Sequence, residues 1–166
     1  MARFDPIIRR AFAGAVIVWA ALIILAPALT RGGLAPALTR RAGDVIALGV
    51  YLAGSLVCHQ RPERSFHLFG VQMPVCARCT GIYLGAALAA IVTVILVRTP
   101  ALVTPKRRSR EGGWPRWAAA AVSAAPAVLT LVYEWTSGDM PSNGIRAASG
   151  VPMGAVASWM ILWKVE

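Results

Sequence analysis

Uncharged apolar blocks alternate with short polar ones along the chain, and four of the blocks are long enough to cross a bilayer. Ala11 to Leu29 runs nineteen residues without a charge; Gly81 to Val97, Trp117 to Tyr133 and Ala147 to Trp163 run seventeen each. At 1.5 Å per residue, seventeen helical residues cover about 25 Å, near the lower limit for a hydrocarbon core of roughly 30 Å. A fifth block, Val45 to Val57, has thirteen residues between Asp44 and Cys58. That length suits a re-entrant or interfacial helix as well as a full span. The pattern predicts an all-α integral membrane helix bundle of four or five helices, organised as one domain over residues 1–166.

Composition agrees. Apolar residues make up 57% of the chain and charged residues 14%, outside the range of a soluble globular domain. Seventeen Lys and Arg stand against seven Asp and Glu, a formal net charge of +10. No basic stripe with interleaved aromatics accompanies the excess, so a nucleic-acid role is not expected. Six of the basic residues, Arg98, Lys106, Arg107, Arg108, Arg110 and Arg116, fall in the short connection 98–116. Such a connection is retained on the cytoplasmic side of a membrane. The helix beginning at Gly81 then leads to the opposite face, so residues 58–80 and 134–143 are expected to be extracytoplasmic. If Val45 to Val57 does not span, the N-terminus is cytoplasmic; if it does, the N-terminus is outside. Arg9 and Arg10 followed by an apolar run and Ala26-Pro27-Ala28 also match a secretory signal. Nineteen apolar residues exceed the 7 to 15 of a signal core, which favours an uncleaved helix.

Two G-x-x-x-G patterns, Gly81 to Gly85 and Gly150 to Gly154, let helix backbones approach closely. Pairing these helices would bring Cys79 near the start of the last one. Trp114, Trp117, Trp135, Trp159 and Trp163 sit at block ends, where interfacial anchoring accounts for them.

All three cysteines and both histidines lie in one polar segment, CHQRPERSFHLFGVQMPVCARCTG, residues 58–81. Cys76 and Cys79 form a C-x-x-C that places two sulfurs on one small loop, and Cys58 supplies a third. His59 or His67 completes a Cys₃His zinc site; on a helix, adjacent Cys58 and His59 would face apart, which favours His67. A closed set of four ligands would be structural, whereas fewer protein ligands would leave a position for water, with Glu63 as a possible base. The rival chemistry is a membrane thiol-disulfide oxidoreductase working through Cys76 and Cys79. Such enzymes generally need two cysteine pairs, and this chain has three cysteines. Attached c-type haem is excluded, because Thr80 follows Cys79 where that motif requires His. Arg61, Arg64, Arg78 and Arg146 share the same face, where their guanidinium forks suit an anionic lipid or a small anionic ligand. Pairing with Glu63, Glu134 and Asp139 is the structural alternative.

The motifs CHQRPERSF and PVCARCTGIYLG, with SNGIRAASG near the end, resemble the signature of a family of small prokaryotic predicted membrane proteins of unknown function. The resemblance covers roughly residues 45–160. It implies that Cys58, His59, Gln60, Arg64, Ser65, Cys76, Arg78, Cys79, Thr80, Gly81, Asn143, Arg146 and Gly150 are marked positions, and that the chain is a multi-pass protein of a prokaryotic plasma membrane. Members often carry Thr before the last Gly, where this chain has Ser149. His59 is among the marked positions, so both histidines stand as candidates. The expectation is an extracytoplasmic zinc site packed against the start of the last helix. A metal-assisted enzyme acting on lipid and a thiol oxidoreductase are the alternatives, and protein partners are not legible.

Overall fold

The computed structural model describes residues 6–30, 37–98 and 115–163. Five helices form: α1 (Pro6–Thr30), α2 (Ala37–Val57), α3 (Ala77–Arg98), α4 (Arg116–Ser137) and α5 (Asn143–Trp163). Between α2 and α3 lie one turn of 3₁₀ helix, Pro62–Arg64, and a hairpin of two short strands, β1 (His67–Leu68) and β2 (Val71–Gln72). The hairpin was not anticipated from the sequence. Its turn is Phe69-Gly70, both with positive φ, the backbone that a two-residue hairpin turn requires and that glycine adopts without strain.

Four of the helices, α1, α3, α4 and α5, are long and apolar enough to cross a bilayer. The central pair is α3 and α5, which run parallel and touch through glycine. A methyl group on Gly81 would overlap the Ala147 carbonyl, one on Gly85 the Val151 carbonyl, and one on Gly154 the Ile82 carbonyl. The two G-x-x-x-G patterns do face each other, and their missing side chains bring the backbones into contact. Gly81→Leu is therefore expected to force α3 and α5 apart. Overpacking of about 1–3 kcal/mol corresponds to a fall of roughly 5 °C or more in the unfolding midpoint in detergent. Gly14→Leu, which meets open space, serves as the control. Equal midpoints for the two variants would show that the helices do not approach as described.

α1 is antiparallel to α3. Trp19 meets Tyr83 edge-on at 5.8 Å between ring centroids, while Ala13, nearer the N-terminus, packs with Ala90 and Leu162. α4 is antiparallel to α5, as Glu134 meets Arg146 and Thr130 meets Ser149. Thus α1 ends on the face where α3 begins. α2 folds back along α1, with Gly43 against Leu29 and Val50 in one cluster with Ile23 and Ala26. It ends at Val57, and Cys58 just beyond it packs beside Val75. The thirteen-residue block is thus part of a longer, 21-residue helix packed along the distal part of α1. The start of α1 shares the opposite face with the end of α3 and the start of α4. Most of the strongly basic connection, residues 99–114, lies outside the described residues.

Outward-facing positions stay apolar. Leu88, Val92, Leu129 and Trp117 are exposed on the spans, as are Val45, Leu48, Leu52 and Leu56 on α2. Small residues fill the interior instead, including Ala13, Ala20, Ala26, Ala87, Ala90 and Ala127. That inversion suits a chain whose surroundings are lipid and whose helices associate by close packing.

Candidate metal centre and arginine cluster

The site is assembled where α2 ends, α3 begins and α5 begins. Cys58 follows the last residue of α2, where its backbone N–H still bonds to the Gly54 carbonyl. Gln60 then turns the chain with φ 46°, and its side-chain amide donates to the carbonyls of Tyr51 at 2.8 Å and Pro74 at 2.6 Å. Gly54 lies directly under the Pro74 carbonyl, where a side chain would collide. The Tyr51 hydroxyl donates to the Gln72 carbonyl. These bonds pin the stretch before Cys76 to the end of α2. Cys76 itself precedes α3, its carbonyl accepting from the Thr80 N–H at 2.9 Å and the Thr80 hydroxyl at 3.1 Å. Cys79 stands one turn further on the same helix.

As a result the sulfurs of Cys58, Cys76 and Cys79 all lie within 4.8 Å of one another. The Cys76 N–H donates to the Cys58 sulfur at 3.1 Å. A hydrogen bond from the Cys79 thiol holds Cys76 well below the usual thiol range, at about 5, with further bonds outweighing the effect of burial. Its place at a helix N-terminus also favours an anion. Among the described residues, neither imidazole belongs to the group of sulfurs. His59 is exposed but lines the cavity beside them; His67 is exposed on β1, paired in register with Gln72, and does not line that cavity. The geometric preference for His67 assumed helical spacing at Cys58 and His59, whereas the helix ends at Val57. Glu63 is exposed and away from the cavity.

Against the sulfurs stands a cluster of guanidinium groups around one carboxylate. Arg146 is 1% exposed; its Nε and Nη2 reach Glu134 Oε1 at 2.9 and 2.8 Å. Arg78 Nη2 reaches the same oxygen at 3.1 Å and the Thr130 hydroxyl at 3.1 Å. Arg64 Nη1 lies 4.0 Å from Oε2. Of the three carboxylates weighed from sequence, Glu134 alone takes part; Glu63 and Asp139 are exposed. Its signal was modest: a lone acid at the end of an apolar helix, facing several arginines. Asn143, at the start of α5, donates to the Ser65 carbonyl at 3.0 Å, and the Ser65 hydroxyl donates to Arg61 O at 2.9 Å. Asn143 thereby ties the loop to the last helix. Ser65, Thr80 and Gly150 hold the loop and helices together, Gly150 by admitting the Arg78 carbonyl.

A cavity of about 410 Å³ joins the two halves, lined by the three cysteines, by His59, Gln60 and Arg61, and by Arg64, Arg78 and Arg146. Of the sequence-derived candidates, the fold brings together all except His67 and Glu63, with Thr80 and Asn143 supporting from behind.

Residues 58–160 match the family model described as predicted membrane protein DUF2085. An uncharacterized protein, MJ1492, of Methanocaldococcus jannaschii is 51% identical over 47 residues, 28% of this chain and 30% of that protein. An uncharacterized protein of Methanothermobacter thermautotrophicus is 63% identical over 30 residues, 18% of this chain and 27% of its own length. Both alignments thus span less than a third of the relative. No solved structure matches. With the family model covering well over half of its length, the chain belongs to the predicted membrane protein family DUF2085.

Proposed function

We propose that the protein is a membrane metal protein in which Cys58, Cys76 and Cys79, as thiolates, hold one Zn²⁺ at the extracytoplasmic face. The observation that carries this reading is the convergence of three sulfurs from two ends of a long loop to within 4.8 Å. With zinc–sulfur bonds of about 2.3 Å, tetrahedral ligands stand roughly 3.8 Å apart, so binding requires only a small contraction. His59, or water or a small ligand from the adjoining arginine-lined cavity, would complete the set of four. His59 closing the set makes the zinc structural; water or ligand there gives the metal a Lewis-acid role, including on a lipid substrate. Supporting sidedness, the start of α1 lies on the face opposite the cysteines, together with both ends of the basic connection. The prokaryotic plasma membrane is the compartment this implies.

A dithiol reading has one observation in its favour, the Cys76 and Cys79 sulfurs within 4.8 Å of each other, where the Cys79 thiol holds Cys76 below its usual range. One experiment separates the two. Intact cells are treated with a membrane-impermeant maleimide alone, after a charged chelator, after a reductant, and after lysis. The zinc reading predicts labelling that rises on chelation and not on reduction. Labelling released by reductant alone would establish the disulfide chemistry, and labelling seen only after lysis would reverse the topology.

A further inference from the structure

We propose that the cavity beside the three sulfurs is a phosphate site, in which Arg146, Arg64 and Arg78 hold the oxyanion of a phosphorylated ligand. This deepens the metal-centre reading and rests on it for one term of the charge balance, the single negative charge that zinc with three thiolates would carry.

The cluster is unbalanced in charge and in hydrogen bonds. Three guanidinium groups face the single carboxylate of Glu134, and Oε1 takes all the contacts under 3.5 Å while Oε2 has only Arg64 at 4.0 Å. Two positive charges are left over. Zinc with three thiolates carries one negative charge, which leaves one, and Arg61 at the same cavity adds another. An uncompensated guanidinium at a membrane protein's buried site is expensive, and an anion removes the cost. The donors for it are present. Arg146 Nη1, Arg64 Nε and Arg78 Nε are buried without a hydrogen-bond partner, Arg146 Nη2 meets Glu134 only as an ion pair, and all three residues line the cavity. Arg146 is almost completely enclosed, so its free Nη1 has no access to bulk water.

Guanidinium groups from three separate residues around one cavity suit the three terminal oxygens of a phosphate monoester better than the two of a carboxylate. A phosphate's charge of about −1.5 to −2 also closes the balance. At about 410 Å³ the cavity falls in the roughly 300–1,000 Å³ range of ligand pockets, with room beyond the phosphate for the group that carries it. Val57, 61% exposed, forms part of the wall beside Leu56, 86% exposed. That apolar edge admits a phospholipid headgroup from the membrane as readily as the open face admits a soluble phosphate.

The test uses the full chain in maltoside micelles, zinc-loaded and metal-free. Inorganic phosphate is titrated by calorimetry, and retention of phosphatidic acid from mixed micelles is read by mass spectrometry. Each is repeated with Arg64→Gln, whose side chain is 38% exposed and whose removal leaves the Arg146 to Glu134 pair intact. The expected result is binding that weakens about tenfold or more in Arg64→Gln, with zinc content and unfolding midpoint unchanged. Retention of phosphatidic acid without affinity for free phosphate identifies the headgroup as the source; binding of free phosphate identifies a soluble one. Binding to protein that takes up no zinc supports the phosphate site and removes the metal reading. No binding of either probe to zinc-loaded protein, or equal binding by wild type and Arg64→Gln, overturns the phosphate site and leaves the metal reading untouched.

Discussion

Glu134→Gln is expected to destabilise the bundle more than any other single polar substitution. The carboxylate is 4% exposed and is the shared acceptor of Arg146 and Arg78, with Arg64 at 4.0 Å. Removing its charge leaves guanidinium groups from three segments of chain facing one another, with Arg146 unable to reach water. Breaking a buried pair by deleting one partner costs about 3–5 kcal/mol, because the other charge stays buried. For a chain of this size that corresponds to a fall of about 10 °C in the unfolding midpoint, measured by circular dichroism in detergent. Adding Arg146→Met to Glu134→Gln is expected to recover part of the loss, since it removes the stranded charge rather than the stabilising one. Arg64→Gln stays within about 0.5 kcal/mol of wild type, because that pair is long and partly exposed. A Glu134→Gln midpoint equal to wild type would mean that the arginines do not depend on this carboxylate.

The helices were legible in the sequence because lipid imposes a length and a polarity on each span. What that criterion marks is the hydrocarbon section, and the helices run past it into polar residues. α3 begins at Ala77 instead of Gly81 and so carries Arg78, Cys79 and Thr80 in its first turn. α5 begins at Asn143 instead of Ala147, which puts Arg146 on the helix and holds its guanidinium inside the bundle. α2 begins at Ala37 and takes Arg40, Arg41 and Asp44 with it, charges that distinguish it from the four apolar spans. That its apolar block packs along the distal part of α1 is a tertiary fact, not legible in thirteen apolar residues.

The site divides in the same way. Cys76 and Cys79 are three residues apart, and their proximity follows from local geometry. Cys58 reaches them only because Gln60 bonds to both Tyr51 and Pro74, and because a hairpin takes up the residues between. The facing G-x-x-x-G patterns were visible as small residues at helical spacing, and they bring the starts of α3 and α5 into one site. The choice of Glu134 over Glu63 and Asp139 was not visible, since it rests on contacts 12 and 56 residues apart in the chain.

Replacing Cys58, Cys76 or Cys79 singly by Ser is the second substitution with a large expected effect. Each should abolish stoichiometric zinc, because the remaining two sulfurs and an exposed imidazole do not make a stable tetrahedral set. Part of the binding energy of a structural zinc is folding energy, on the order of 10 kcal/mol in small zinc-binding peptides. The loop between α2 and α3 should therefore become protease-sensitive in these variants. The spans should persist, because their backbone hydrogen bonds are satisfied within each helix. A Cys→Ser variant that keeps a full equivalent of zinc would remove that residue from the ligand set.

The central claim is that one zinc ion sits on three sulfurs of a membrane-face loop, and X-ray absorption at the zinc edge of the purified full-length protein tests it most directly. The account predicts one equivalent of zinc with three sulfur scatterers at about 2.3 Å and one nitrogen or oxygen scatterer at about 2.0–2.1 Å. Zinc surrounded by nitrogen and oxygen alone, or protein free of metal with Cys76 and Cys79 joined in a stable disulfide, would contradict it.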